Sequence, residues 1–406
     1  MNMTGWALIV AFFFAAGPLA ACVVSAVFVR RLPLPRAARA VVTLAILAAG
    51  LKFVWFAVFG GKPFNPELPA AVVHALSVLH DAVVILAVFA LADAGLRAVV
   101  AARRRARPRP SAPSVGTAVP RRTFLVGAFA AASGAGAAFA VREGVRLPDV
   151  TRADLFFPDL LEAFDGYRIA HLSDLHVSAA ARAARTAGIV ERTNALGADL
   201  VVITGDFVDG APSSRREDVV PLGGLVARDG VFGCTGNHEY YSGYDAWRSE
   251  FQRLGVRMLE NAAATIRRGE DGAALALLGV NDPIGGPDLD AAAAAAPQNA
   301  FRILLAHRPI GLAQHAARGV RLQLSGHTHG GAIRGLDRFV ARANEGHVRG
   351  LYREHGLTLY VNAGTGQWAG FPERVGVPPE ITCLTLRRGA GSDGVCRAGF
   401  TASGRM

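Results

Sequence analysis

The sequence predicts an α/β domain preceded by a transmembrane helical region. Three observations carry that reading. Long apolar stretches are confined to the first third of the chain. After Tyr167, short runs of Val, Ile and Leu alternate with helix-like segments. Most of those runs end in Asp, Asn or His.

The chain has 406 residues, room for more than one domain. Hydrophobic residues make up 51% of it, and its mean hydropathy is +0.30. Its net charge of +11 invites a nucleic-acid reading. The charge is unevenly placed, however. Residues 1–148 hold 16 Lys and Arg against 4 Asp and Glu, whereas residues 149–406 hold 27 against 28. A near-neutral C-terminal part argues against a basic nucleic-acid face there. The four cysteines include no CxxC pair, so neither a zinc ribbon nor a dense disulfide scaffold is expected. Cys383 and Cys396 are the candidates for a single bridge, should that part face an oxidising compartment.

Four apolar stretches, Trp6–Val29, Ala40–Phe59, Leu68–Leu91 and Phe124–Val141, come near the length of about 20 residues that spans a bilayer. The first is followed by RRLPLPRAAR and the third by RAVVAARRRARPRP, while only GGKPFNPE separates the second from the third. Arg-rich loops stay cytoplasmic, which predicts an outside N-terminus and an outside position for everything after Val141. The fourth stretch starts at Arg121–Arg122 and continues through a weak Ala/Gly-rich core. It resembles an internal twin-arginine export signal, with Ala138–Ala140 fitting a small-residue cleavage site. Lys52, His74, His80 and Asp81 are ionisable groups inside these stretches. The expectation is a snorkelling Lys52 and helix-gluing His80 and Asp81, with a Lys52–Asp81 pair as the alternative.

Beyond Tyr167, eight runs read as buried strands: RIAHLSDLH, ADLVVITGD, VFGCTGNHE, AALALLGV, FRILLAHRP, RLQLSGHTHG, LTLYVNAG and EITCLTLR. Helices are expected between them, notably over 179–196, 244–254 and 288–296. The first run ends in Asp174 and His176, the second in Asp206 and the third in Asn237 and His238. The fifth ends in His307, and the sixth in His327 and His329. Ligands of open α/β sheets bind outside the carboxyl ends of strands, so these residues are expected at one edge. The Asp174/His176 and His327/His329 pairs are expected to project to one side of a locally extended chain. Glycines at 205, 236, 326, 330 and 331 permit tight turns there. Imidazole and carboxylate without thiolate suit Mn, Fe, Zn or Ni and exceed what one tetrahedral ion needs. Two cations about 3.5–4 Å apart form a clamp suited to phosphoryl hydrolysis.

The ordered set DLH, GDFVD, GNHE, AH and GHTH resembles the calcineurin-like metallophosphoesterase family over residues 160–388. FDGYRIAHLSDLH and PPEITCLTL liken it to that family's membrane-anchored bacterial branch. The resemblance implies a two-sheet αββα sandwich and two divalent ions, Mn, Zn or Fe. Asp174, His176 and His329 would hold one, and Asn237, His307 and His327 the other, with Asp206 bridging. A metal-bridging hydroxide would attack phosphorus, His238 would protonate the leaving oxygen or stabilise the phosphate, and Asp209 would support the ligands from behind. Ala332 departs from the polar residue common after GHTHGG in relatives, which puts a substrate or supporting contact there in doubt.

The expected organisation is a transmembrane region over 1–142, a linker over 143–160, the phosphoesterase domain over 161–388 and a tail over 389–406. The expected function is hydrolysis of phosphodiester, pyrophosphate or phosphomonoester bonds in envelope lipids or cell-wall molecules. The expected setting is a multi-pass protein of the cell membrane with its catalytic domain outside the cytoplasm. The twin-arginine translocase is an expected partner and nucleic acid is not. The alternative is a membrane sensor or transporter-like protein with a regulatory phosphoesterase domain.

Overall fold

The computed structural model describes residues 3–106, 121–269, 272–391 and 394–397. They form two compact units: residues 1–142 with 370–372, and residues 143–369 with 373–406.

The first unit is helical: α1 (Met3–Val27), α2 (Arg36–Gly50), α3 (Lys52–Gly60), α4 (Ala70–Ala106) and α5 (Arg121–Val145). Among the described residues, three helices are long and apolar enough to cross a membrane. The expected second span is not one straight helix, because α2 and α3 meet at a 65° bend and would make a fourth span only as a pair. The cause is a crossing of glycines. A Cβ on Gly17 of α1 would lie 2.0 Å from the Gly50 carbonyl oxygen, so the two backbones touch. His80 Nδ1 of α4 sits 3.2 Å from that same oxygen, a side chain inserted where the helix ladder should continue. Small residues commonly mark such contacts between membrane helices. Lys52, just past the bend, does not snorkel. It is 1% exposed, with Nζ 4.9 Å from the centre of the Phe53 ring.

The second unit holds thirteen strands among the described residues: β1 (Asp149–Phe157), β2 (Arg168–Leu172), β3 (Leu200–Thr204), β4 (Val231–Cys234), β5 (Val256–Met258), β6 (Ala262–Arg268), β7 (Ala273–Gly279), β8 (Phe301–Leu305), β9 (Val320–Ser325), β10 (Gly350–Glu354), β11 (Leu357–Val361), β12 (Glu380–Arg388) and β13 (Gly394–Arg397). They make a seven-stranded sheet, β13-β1-β12-β2-β3-β4-β5, and a six-stranded sheet, β10-β11-β9-β8-β7-β6. Strands β2 to β5 run parallel, as do β7, β8, β9 and β11. Ile169, Leu200 and Val202 of the larger sheet pack with Leu277, Ile303 and Leu322 of the smaller. The outer face of the larger sheet is covered by Ile189, Trp247 and Phe251, and that of the smaller by Ala292 and Leu312. The result is an αββα sandwich whose central strands, buried on both faces, are almost wholly apolar.

Two expectations change. Residues 143–160 contain β1, which pairs in parallel with β12 along its whole length, rather than a plain linker. Its alternating pattern, DVTRADLFF, buries one face, so it belongs to the sheet. Cys383 and Cys396 stand opposite Arg152 on its two sides. Two strand spacings, about 9.6 Å, exceed the reach of a disulfide, and Cys383 is free.

Two stability predictions follow from this packing. Trp247 is fully buried, stacks on Phe251 and donates Nε1–H to the Gly210 carbonyl at 2.9 Å. Trp247→Ala should cost about 3–5 kcal/mol, read as a drop in thermal midpoint. His171 is fully buried, its Nε2 lies 2.9 Å from Thr204 Oγ1, and burial pushes its pKa from 6.5 to about 3. It is therefore neutral when folded and charged when unfolded below its ordinary pKa. Stability is whole above about pH 6.5 and should fall by about 1.4 kcal/mol per pH unit on acidification. Thermal midpoints of His171→Phe measured across that window should show a shallower acid slope than wild type.

Candidate metal centre

Every expected ligand lies where a strand of the two central sheets runs out. Asp174 and His176 follow β2, Asp206 follows β3, Asn237 and His238 follow β4, His307 follows β8, and His327 and His329 follow β9. Among the described residues, three groups of donor atoms converge: Asp174, His176 and His329; Asp206, His307 and His327; and His176, Asp206 and His238. Asp206 belongs to two of them.

The backbone aims these side chains in an unexpected way. Asp174, His176, Asp206, His327 and His329 have φ of 53°, 45°, 54°, 71° and 47°. The chain at the two paired motifs is therefore not extended. Each of these five sits at a left-handed turn, and the turns bring both members of a pair to the site. This conformation is costly for a residue with a Cβ and persists where surrounding structure holds it. Here the holding is tight. A Cβ on Gly236 would fall 2.2 Å from Asp206 Oδ1, and one on Gly326 would fall 2.3 Å from Asp174 Oδ2. Only glycine lets those backbones approach the carboxylates.

Supporting contacts fix each ligand. His307 Nδ1–H donates to the Thr204 carbonyl at 2.7 Å, which leaves Nε2 facing Asp206 Oδ2 at 3.2 Å. His176 Nδ1 is held by Asp209 Oδ2 at 3.1 Å, and its Nε2 lies 3.0 Å from His329 Nε2. His327 Nδ1 faces His307 Nε2 at 3.1 Å. His327 N–H donates to both Asp174 oxygens, and His238 N–H to Asp206 Oδ1. Asp209 spans two imidazoles, because its Oδ1 also meets His238 Nδ1 at 2.5 Å. Asn237 Oδ1 is buried with no hydrogen-bond partner among the described residues.

The electrostatics follow from burial. Desolvation alone would raise the Asp206 carboxyl, but the positive charge of His307, His238 and His176 outweighs it and holds Asp206 well below its usual range. Conversely, burial would lower His307 and His238, yet Asp206, helped by Asp174 at His307 and Asp209 at His238, pushes them up to about 10 and about 9. Burial and neighbouring positive charge drive His327 and His329 well below 6.5. Among these side chains alone, protons on imidazole answer the buried carboxylates. A divalent cation answers them equally well. Imidazole nitrogens turned face to face and an orphaned Asn oxygen are the donor set that such an ion needs. The residues fit the implied metal.

Sequence reasoning passed over two supporting groups. Glu239 is fully buried, and its carboxylate accepts from the backbone N–H of Asp206, Phe207 and Gly236, tying the ends of β3 and β4 together. It stood in the GNHE motif but offers no metal contact. Arg374 is fully buried too. It donates to the Gln367 side chain and to the carbonyls of Ala363 and Gly366, and its Nη2 lies 3.2 Å from His329 Nδ1. It lies in a Gly/Pro-rich loop with no strand-end signal. The rim carries His238, with Tyr241 at 5.5 Å and Trp368 at 5.2 Å between ring centres.

Residues 167–331 match the family model described as calcineurin-like phosphoesterase. The chain is 33% identical over 262 residues to a transmembrane protein with metallophosphoesterase domain from Danio rerio, covering 59% of this chain and 58% of that one. It is 31% identical to an uncharacterized metallophosphoesterase of Helicobacter pylori (60% and 65% covered). It is 29% identical to one of Bacillus subtilis (66% and 97% covered). The chain thus spans less than two thirds of the length of the first two. Residues 167–331 are thus similar to the calcineurin-like phosphoesterases, and the site geometry agrees with that likeness.

Proposed function

We propose that the protein is a metal-dependent phosphoesterase of the cell membrane. One observation carries this: Asp206 is shared between two groups of side chains able to hold a metal ion, one with His176 and His238 and one with His307 and His327, and His176 also belongs to the group of Asp174 and His329. Asp174, His176 and His329 would hold one divalent ion, and Asn237, His307 and His327 a second. The ions would supply Lewis-acid polarisation of the phosphoryl oxygens and a nucleophile from water at neutral pH.

The chain's own residues do the rest. Glu239 and the left-handed turns pre-set the ligands. Asp209 holds His238 by Nδ1, so Nε2 is the nitrogen left for substrate. The Asp209 carboxylate beside Nδ1 favours the protonated imidazole. As the P–O bond breaks, the Nε2 proton passes to the leaving oxygen, as expected of a general acid. Tyr241 and Trp368 line the side on which that leaving group departs.

Membrane lipid or cell-wall phosphoesters are the proposed substrates. The positive-inside rule supports a catalytic domain outside the cytoplasm, provided α2 and α3 cross as one broken span. If they did not cross, the Arg-rich end of α4 would lie outside. The twin-arginine reading is supported by Arg121–Arg122 at the start of α5. That helix runs unbroken through Ala138–Ala140, which supports retention as an anchor over cleavage. A second reading, a sensor or transporter-like role, rests on Lys52 buried beside the bend, since ionisable groups inside a membrane are costly and usually functional.

The full chain in detergent, stripped of metal, should take up about two equivalents of Mn²⁺ or Zn²⁺ by elemental analysis, as a two-ion site requires. Asp206→Asn should retain clearly less. The loaded protein should hydrolyse bis-p-nitrophenyl phosphate, and His238→Ala should lower kcat by about 10²–10⁴-fold while metal content stays unchanged. A folded, fully loaded wild type with no turnover on mono- or diesters would sink the reading. If Lys52→Met abolishes the cellular phenotype while Asp206→Asn preserves it, the sensor or transporter role takes its place.

A further inference from the structure

The segment directly after the metal-ligand turn has a surface that the chemistry does not use. Residues 333–343 read IRGLDRFVARA and end in a short helix, Asp337–Ala343. Leu336 is 51% exposed and Phe339 66%. Val375, 40% exposed, lies beside them, because Arg334 N–H donates to its carbonyl at 2.9 Å. Arg334, Arg338 and Arg342 recur every four residues, and all are exposed. The segment's only acid, Asp337, is taken by Arg349 at 2.8 Å. Among the described residues, no carboxylate pairs with the three arginines. Arg338 lies against the Phe339 ring, 5.4 Å from its centre.

A solvated helix needs no exposed Phe and Leu, and an ordinary protein contact needs no row of uncompensated arginines. The two together form the interfacial pattern: apolar side chains enter the acyl boundary while flanking cations meet anionic headgroups. Arginine serves here because its stem can lie on apolar surface while its head reaches phosphate. The chain's own apolar helices supply the bilayer. The segment is also wired to the site. Arg349 donates to the Gly330 carbonyl at 2.7 Å while pairing Asp337, which links the helix to the turn after His329.

We infer that residues 333–343, with Val375, dock on an anionic phospholipid surface and so present bilayer-resident phosphoesters to the metal centre. Its purpose, though not the docking itself, rests on the phosphoesterase reading.

The test uses the full chain in nanodiscs of phosphatidylcholine, with or without phosphatidylglycerol, followed by amide hydrogen exchange. Exchange over residues 333–343 should slow when the anionic lipid is present. Each of Arg334→Gln, Arg338→Gln and Arg342→Gln should reduce that protection about fivefold, the share expected of one basic residue at an anionic surface. Phe339→Asp should remove it. Equal exchange in both lipids, or protection that survives the triple Arg→Gln variant, overturns the docking and points to a protein occupant. Turnover of bis-p-nitrophenyl phosphate is read in parallel. The triple variant should keep it, since none of the three arginines is a metal ligand. Lipid-dependent protection without turnover removes the phosphoesterase reading alone. Turnover without lipid-dependent protection removes the docking alone.

Discussion

A buried carboxylate, Asp206, is the constraint on which the domain's architecture turns. Taking an ionised group out of water is prohibitive unless positive charge and hydrogen bonds meet it. Both are met here by parts that are distant in sequence. The backbone of His238 donates to one oxygen, and the imidazole of His307 faces the other. Bringing those groups together requires two sheets packed face to face with their strand ends at one edge. It also requires a glycine at 236, where any side chain would strike the carboxylate. The same requirement explains Glu239, a second buried acid whose three backbone donors fasten the β3 and β4 ends at the height Asp206 needs.

How much of this was legible in the sequence depends on where each signal resides. The central strands were readable because a strand buried on both faces is a continuous apolar run, and the ligands were readable because they punctuate such runs. The edges were not. β1 alternates polar and apolar, and β13 is four residues long, so both look like connecting chain until β12 arrives to pair with β1. The left-handed turns were hidden as well. Asp and His tolerate positive φ better than most residues, but nothing in DLH or HTH announces it; the neighbouring glycines were the visible half of that geometry. Arg374 gave no signal, because a buried guanidinium satisfied by loop carbonyls depends wholly on tertiary folding.

The helical unit divides along the same line. Span length is a property of composition, so the apolar stretches stood out. The bend between α2 and α3 is a property of contact between Gly17, Gly50 and His80, three residues on three helices. Lys52, next to that bend, is enclosed by the Phe53 and Phe371 rings. A side chain expected to reach for the interface is instead enclosed beside a broken helix, which is where ionisable groups in membranes tend to be functional.

The placement of β12 has a consequence for biosynthesis. It lies between β1 and β2, pairing in parallel with the one and antiparallel with the other. A ribosome delivers β1 and β2 long before it delivers residues 380–388. Until then the larger sheet has a gap at its centre, two bare strand edges face it, and Glu380 has yet to meet Thr151. Pairings of such long sequence separation form late and leave edges open to aggregation. The nascent domain therefore depends on β12, made near its end, to close. A chain cut short before residue 380 would still carry every proposed metal ligand, yet β1 would have no partner and the β2 edge beside the first ligands would stay bare.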